Sequence, residues 1–127
     1  VYPDMTAEEN LRQQYQVLGM PSADGIAELL HLVGLDGMGK KKVKNFSLGM
    51  RQRLGLAQAL MEDPSFLILD EPLNGLDKSG TQHIRSVIKG LRDEGKTVIL
   101  ASHNQIDIDE LCGTVCEMDA GVLTVVR

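Results

Sequence analysis

Phe66-Leu67-Ile68-Leu69 is an unbroken apolar run that ends in two adjacent carboxylates, Asp70 and Glu71, and is stopped by Pro72. The run is too short for a helix and lacks polar alternation, as expected of a parallel strand covered on both faces. A second such run, Thr97-Val98-Ile99-Leu100-Ala101, follows a helical stretch that carries Ile84, Val87, Ile88 and Leu91 on one side. Ser79 is the expected cap of that helix, which runs through about Asp93 and ends at Gly95. A short helix from about Gln105 to Leu111 and two final strands, Val115–Met118 and Val122–Val126, complete a parallel α/β pattern.

The residues before this core read as helical. Thr6-Ala7-Glu8-Glu9 is a capping box, predicting a helix from Ala7 to about Leu18 that Gly19 caps and Pro21 prevents from continuing. Ser22 is the expected cap of a second helix, with Ile26, Leu29, Leu30 and Val33 at helical spacing and Gly34 at its end. A turn at Asp36-Gly37-Met38-Gly39 leads into the basic run Lys40–Lys44, read as a solvated approach. The third helix starts at Ser47. Its Met50, Leu54, Ala57 and Met61 lie 4, 3 and 4 apart on one face, and Asp63-Pro64 ends it. Gly55 and Ala59 keep part of its surface small enough for another element to approach. The division expected is a helical part, 1–63, followed by an α/β part, 64–127.

Composition narrows the class. With 127 residues, 43% of them hydrophobic, the chain suits one domain with a modest core. A net charge of −5 argues against a broad nucleic-acid surface. No apolar run approaches the roughly 20 residues needed to cross a bilayer. The start lacks the basic and apolar regions of a signal peptide and an initiator Met, so Val1 is expected to be a cut end. Cys112 and Cys116 make neither a disulfide framework nor a zinc site and are expected to be reduced thiols, as in a cytoplasmic compartment.

Three places carry chemistry. At Ser47 a helix N-terminus presents backbone N–H groups and a dipole that favour an anion, and Gly49 lets a phosphate come near. Taken alone, Ser47 reads as a simple cap of its helix. Asp70 and Glu71 fall at the carboxyl end of a parallel strand, where ligands of such sheets bind. One carboxylate suits Mg²⁺ with its water shell, and its neighbour suits a general base, although acids also end strands merely by reaching solvent. His103 ends the next buried strand, where it could bridge a phosphate and an attacking water or be structural. His31 and His83 have no such setting and read as surface or boundary residues.

In this order the pieces resemble the ATP-binding subunit of ABC transporters. Phe46-Ser47-Leu48-Gly49-Met50 stands where that family has its signature LSGGQ, followed by Arg51-Gln52-Arg53. Phe66 to Pro72 matches the Walker B segment with its catalytic glutamate, Asn74-Gly75-Leu76-Asp77 the D-loop, and Ser102-His103 the switch histidine. Leu48 and Met50 depart from the signature. The SLGM form resembles the branch of bacitracin-resistance and lantibiotic-immunity exporters. No G-x-x-x-x-G-K-[ST] loop occurs in the chain, and Tyr2 to Leu11 resembles the segment just after the family's Q-loop.

The resemblance implies part of a P-loop NTPase (RecA-like) parallel sheet preceded by a helical signature subdomain. It implies ATP and Mg²⁺ as cofactors, with Asp70 toward the metal and Glu71 and His103 catalytic in the subunit's own site. Ser47, Leu48, Gly49 and Met50 would face the nucleotide of a second ATP-binding subunit, in a homodimer or heterodimer, and Asp77 would link the two sites. The implied partner is a membrane permease, the location the cytoplasmic face of the membrane, and the task ATP-driven export of an antibiotic or peptide. Without the Walker A loop, this chain alone is expected to be inactive, with an open sheet edge that invites a non-native dimer. The alternatives are an ABC-type ATPase of translation or chromosome maintenance, and a non-catalytic module that only binds partners.

Overall fold

The computed structural model describes residues 1–17, 25–61 and 63–126. Helix α1 (Ala7–Val17) begins at the capping box. The Thr6 N–H donates to Glu9 Oε1 and the Glu9 N–H to Thr6 Oγ1, each at 3.1 Å. The bond from the Thr6 backbone, then that from its side chain, holds the Glu9 carboxyl below its ordinary pKa. Buried Asn10 ties the leading segment to this helix, accepting from the Tyr2 N–H at 2.7 Å and donating to the Tyr2 and Thr6 carbonyls.

Helix α2 (Ile26–Leu32) follows Gly25, and the expected cap Ser22, like Leu18, Gly19 and Pro21, lies outside the described residues. It closes as expected at Gly34, whose N–H donates to the His31 carbonyl while that of Leu35 donates to Leu30. After a 3-10 turn at Val43–Asn45, helix α3 (Leu48–Leu60) starts at Ser47. Leu54, Ala57 and Met61 are buried and Met50 is half-buried, so the face read from spacing is the face that packs.

Strand β1 (Phe66–Asp70), helix α4 (Lys78–Asp93), strand β2 (Thr97–Ala101) and helix α5 (Gln105–Leu111) form the α/β part. β1 and β2 are parallel, pairing Phe66 with Thr97 through to Asp70 with Ala101. Helix α4 is capped by Asp77, whose Oδ1 accepts from the Gly80 N–H at 2.7 Å. Ser79, the expected cap, lies inside the first turn. β3 (Cys116–Asp119) and β4 (Val122–Val125) pair antiparallel with each other and do not extend the parallel sheet. Ala120 and Gly121, both at positive φ, make the two-residue turn between them.

The buried residues form one continuous cluster. It runs from Leu11, Val33 and Leu54 in the helical part through Leu67 and Leu69 to Ile84 and Ile88 of α4. The parallel pair is covered on one face only, which corrects the two-faced reading of the apolar run. Leu67 and Leu69 are buried, whereas Phe66, Ile68 and Ile99 on the opposite face are 51%, 68% and 49% exposed. An uninterrupted apolar run reports the chemistry of both faces, but the described residues supply a layer for only one of them.

Candidate functional site

Two strand ends and two loops position the residues singled out above. Asp70 closes β1 and is exposed, one residue before the chain turns sharply at Glu71. Glu71 has φ +45°, a left-handed conformation that costs a residue with a side chain about 1–3 kcal/mol. The turn holds because the Glu71 N–H donates to the Ala101 carbonyl at 2.8 Å and its own carbonyl accepts from the Asn74 N–H at 3.1 Å. Two adjacent carboxylates are thereby sent apart, with Asp70 on the exposed face that Ile68 shares and Glu71 toward the end of β2.

There Glu71 meets His103. Its Oε1 accepts from the His103 backbone N–H at 3.0 Å and lies 3.8 Å from the ring Nε2. The imidazole is otherwise open to solvent. Behind it, Asn104 caps α5 by accepting from the Asp107 N–H at 3.1 Å, and the Asn104 N–H donates to Ser102 Oγ at 3.0 Å. The two residues expected to act together thus share a hydrogen bond.

The loop at Ser47 is built differently. Ser47 Oγ accepts from the Met50 N–H at 3.1 Å, which leaves the hydroxyl proton available to donate outward. Leu48 is exposed, yet its side chain lies over Gly75, where an added Cβ would meet it at 2.7 Å. Gly49 is buried, and a Cβ there would come within 2.9 Å of the Gly75 carbonyl oxygen. Its lack of a side chain therefore serves the approach of the Asn74–Asp77 loop. Met50 turns partly toward the core, and the Asp77 carboxylate is taken up by its cap.

The site residues thus fall into two groups, Glu71 with His103 and Leu48-Gly49 with Gly75-Leu76. Among the described residues no hydrogen bond or ion pair joins Ser47 to Asp70 or Glu71. Asp70 instead borders a groove of about 170 Å³ between α3 and the open face of β1, with Gln52, Gly55, Ala59 and Ile68 on its walls. No cluster of three or more metal-ligating side chains occurs among the described residues. One carboxylate fits Mg²⁺ all the same, since this ion takes one or two carboxylates and fills the rest with water and phosphate oxygens.

Sequence reasoning missed two arginines. Arg53 Nη1 donates to the Val33 carbonyl at 2.8 Å and lies 3.2 Å from His83 Nδ1, joining α2, α3 and α4. Arg85 on α4 binds the buried Asp107 of α5, with Nε at 2.9 Å and Nη2 at 2.5 Å from the same Oδ1. No local pattern links residues so far apart in the chain.

A parallel pair with an acidic strand end, followed by a helix capped at Asp77, is an α/β arrangement with its candidate residues at the carboxyl ends of the strands. The family model described as ABC transporter matches residues 1–74, and the chain belongs to that family. It is 44% identical over 115 residues to the uncharacterized ABC transporter ATP-binding protein YcbN of Bacillus subtilis (strain 168), covering 90% of this chain and 38% of that protein. It is 42% identical over 111 residues to the lantibiotic transport ATP-binding protein SrtF of Streptococcus pyogenes, covering 87% of this chain and 48% of SrtF. Over 123 residues it is 42% identical to the bacitracin transport ATP-binding protein BcrA of Bacillus licheniformis, covering 96% and 40%. The chain therefore spans less than half the length of these relatives. The fold matches the ATP-binding cassette MJ0796, solved as a dimer in a post-hydrolysis state bound to ADP and Pi. That match has a TM-score of 0.84 at 21% identity and covers all of this chain and 59% of the other.

Proposed function

We propose that this chain is the signature and Walker B part of an ATP-hydrolysing subunit that powers export of an antibiotic or peptide through a membrane permease. The observation that carries this reading is the Glu71–His103 contact at the end of the parallel pair, in a chain of the ABC transporter family. The relatives named for lantibiotic and bacitracin transport supply the substrate class. The helical part, 1–63, is where the permease docks, and 64–127 belongs to the ATPase core. The relatives named as transport ATP-binding proteins support a peripheral place at the cytoplasmic face of the membrane.

When bound, ATP supplies the phosphoanhydride that is cleaved and Mg²⁺ the charge that neutralises its phosphate oxygens. Asp70 would hold the metal. Glu71 takes the proton of the attacking water, and its orientation is set by the bond it accepts from the His103 N–H. The exposed His103 ring donates to a phosphate oxygen. In the dimer, the Ser47 hydroxyl and the free N–H groups at the start of α3 would donate hydrogen bonds to the nucleotide of the second subunit. Leu48 and Gly49 pack this loop against Gly75, and Asp77, at the end of the Asn74–Asp77 loop, links one site to the other. This chain holds half of each site and by itself turns over no ATP.

Turnover in the longest natural polypeptide that carries the chain tests the assignment. Glu71→Gln and His103→Ala lower kcat by about 10²–10⁴-fold, the usual worth of a positioned acid or base. Turnover within a few-fold of the parent in Glu71→Gln would remove Glu71 from the reaction.

A further inference from the structure

We infer that Arg85 and Asp107 are positioning residues for His103, holding the histidine against Glu71 from the far side of its loop. The inference rests on the proposed roles of Glu71 and His103. Three links carry it. His103 sits in the short connection between β2 and α5, so its place depends on where α5 begins. That start is pinned to α4 through Arg85, which sends Nε and Nη2 to Oδ1 of an Asp107 that is only 5% exposed. The Asp107 N–H in turn donates to Asn104 Oδ1, and the Asn104 N–H to Ser102 Oγ, so the residues on either side of His103 are tied to the same anchor.

The pair is more than a surface ion pair. The Arg85 side chain is 17% exposed and is flanked by Glu110, whose Oε2 lies 3.7 Å from Nη1 and 3.8 Å from Lys89 Nζ. A planar guanidinium aimed at one buried oxygen fixes direction as well as distance. Buried pairs of this kind add little net stability over an apolar replacement, which leaves geometry as what this one contributes. The His103 ring has no comparable support of its own, being fully exposed and 3.8 Å from Glu71. Its backbone N–H is the element that the anchor can hold in place.

The test is Arg85→Met/Asp107→Leu, which removes both charges together and leaves no unpaired carboxylate. His103 amide exchange is followed by NMR, global stability by thermal melting, and ATP turnover in the longest natural polypeptide containing the chain. The melting temperature stays near that of the parent, while the His103 amide exchanges about tenfold faster or more and the amides of Leu67 and Leu69 do not change. In turnover kcat falls roughly 10–100-fold with little change in KM, as a misplaced catalytic group does. Arg85→Lys keeps the charge but loses the fork, and speeds His103 exchange by a smaller factor. It decides the matter if the double variant does not fold. Parent-like His103 exchange in the folded variants overturns the inference. Full turnover in His103→Ala would instead remove the catalytic reading of His103, and the exchange result would then decide the positioning claim by itself.

Discussion

Gly49 and Gly75 meet where the loop before α3 and the loop after β1 press together, and neither position has room for a methyl group. At Gly75 the backbone has φ +79° and Leu48 carbons stand 2.7 Å from an added Cβ, so Gly75→Ala combines strain with overlap. Gly49→Ala would press on the Gly75 carbonyl oxygen, which is backbone and cannot rotate away. Each substitution should destabilise by about 1–3 kcal/mol in urea unfolding. Gly55 gives the contrast. Its Cβ would meet nothing, and it lies exposed inside a helix, so Gly55→Ala should raise stability by roughly 0.5–1 kcal/mol. From the sequence, Gly49 was read for phosphate access and Gly55 for close packing. The positions were legible because glycine is conspicuous, but which neighbour approaches each one is a three-dimensional fact.

At the scale of elements, helix starts were readable where a local rule sets them. Thr6 with Glu9 and Ser47 before α3 both cap as their spacing implies, because the bonds span only three residues. The start of α4 was misassigned because Asp77 and Ser79 are both capping residues, two positions apart. The Asn74–Asp77 loop delivers Asp77 in extended conformation with φ −74° and ψ 179°, and this backbone, not side-chain preference, selects the cap. Asp77→Ala should therefore cost about 1 kcal/mol and Ser79→Ala only a few tenths, measured by chemical denaturation. The fourth strand segment shows the same limit. The short Asp119–Gly121 turn is a local signal that β3 and β4 pair with each other, yet nothing local says that the pair stands apart from the parallel sheet. The Arg85–Asp107 pair, 22 residues apart, was invisible for that reason too.

The whole molecule reads as an assembly of complementary halves. Strand identity and the order of motifs were legible in the sequence because apolar runs and short acidic ends are local signals. Coverage was not, since Phe66 and Ile68 are as apolar as Leu67 and Leu69 but face an open side. In the proposed subunit the same separation applies to the chemistry, with Ser47 and Gly49 serving one nucleotide and Asp70, Glu71 and His103 another. The direct test mixes two inactive variants of the longest natural polypeptide, Ser47→Glu and Glu71→Gln, and measures ATP turnover. If the halves belong to different sites, a mixed dimer has one site free of either substitution. Half of the dimers in an equal mixture are of this kind, so turnover should recover to about one quarter of the parent value. Turnover that stays at the level of the separate variants, with mixed dimers shown to form, would contradict the account.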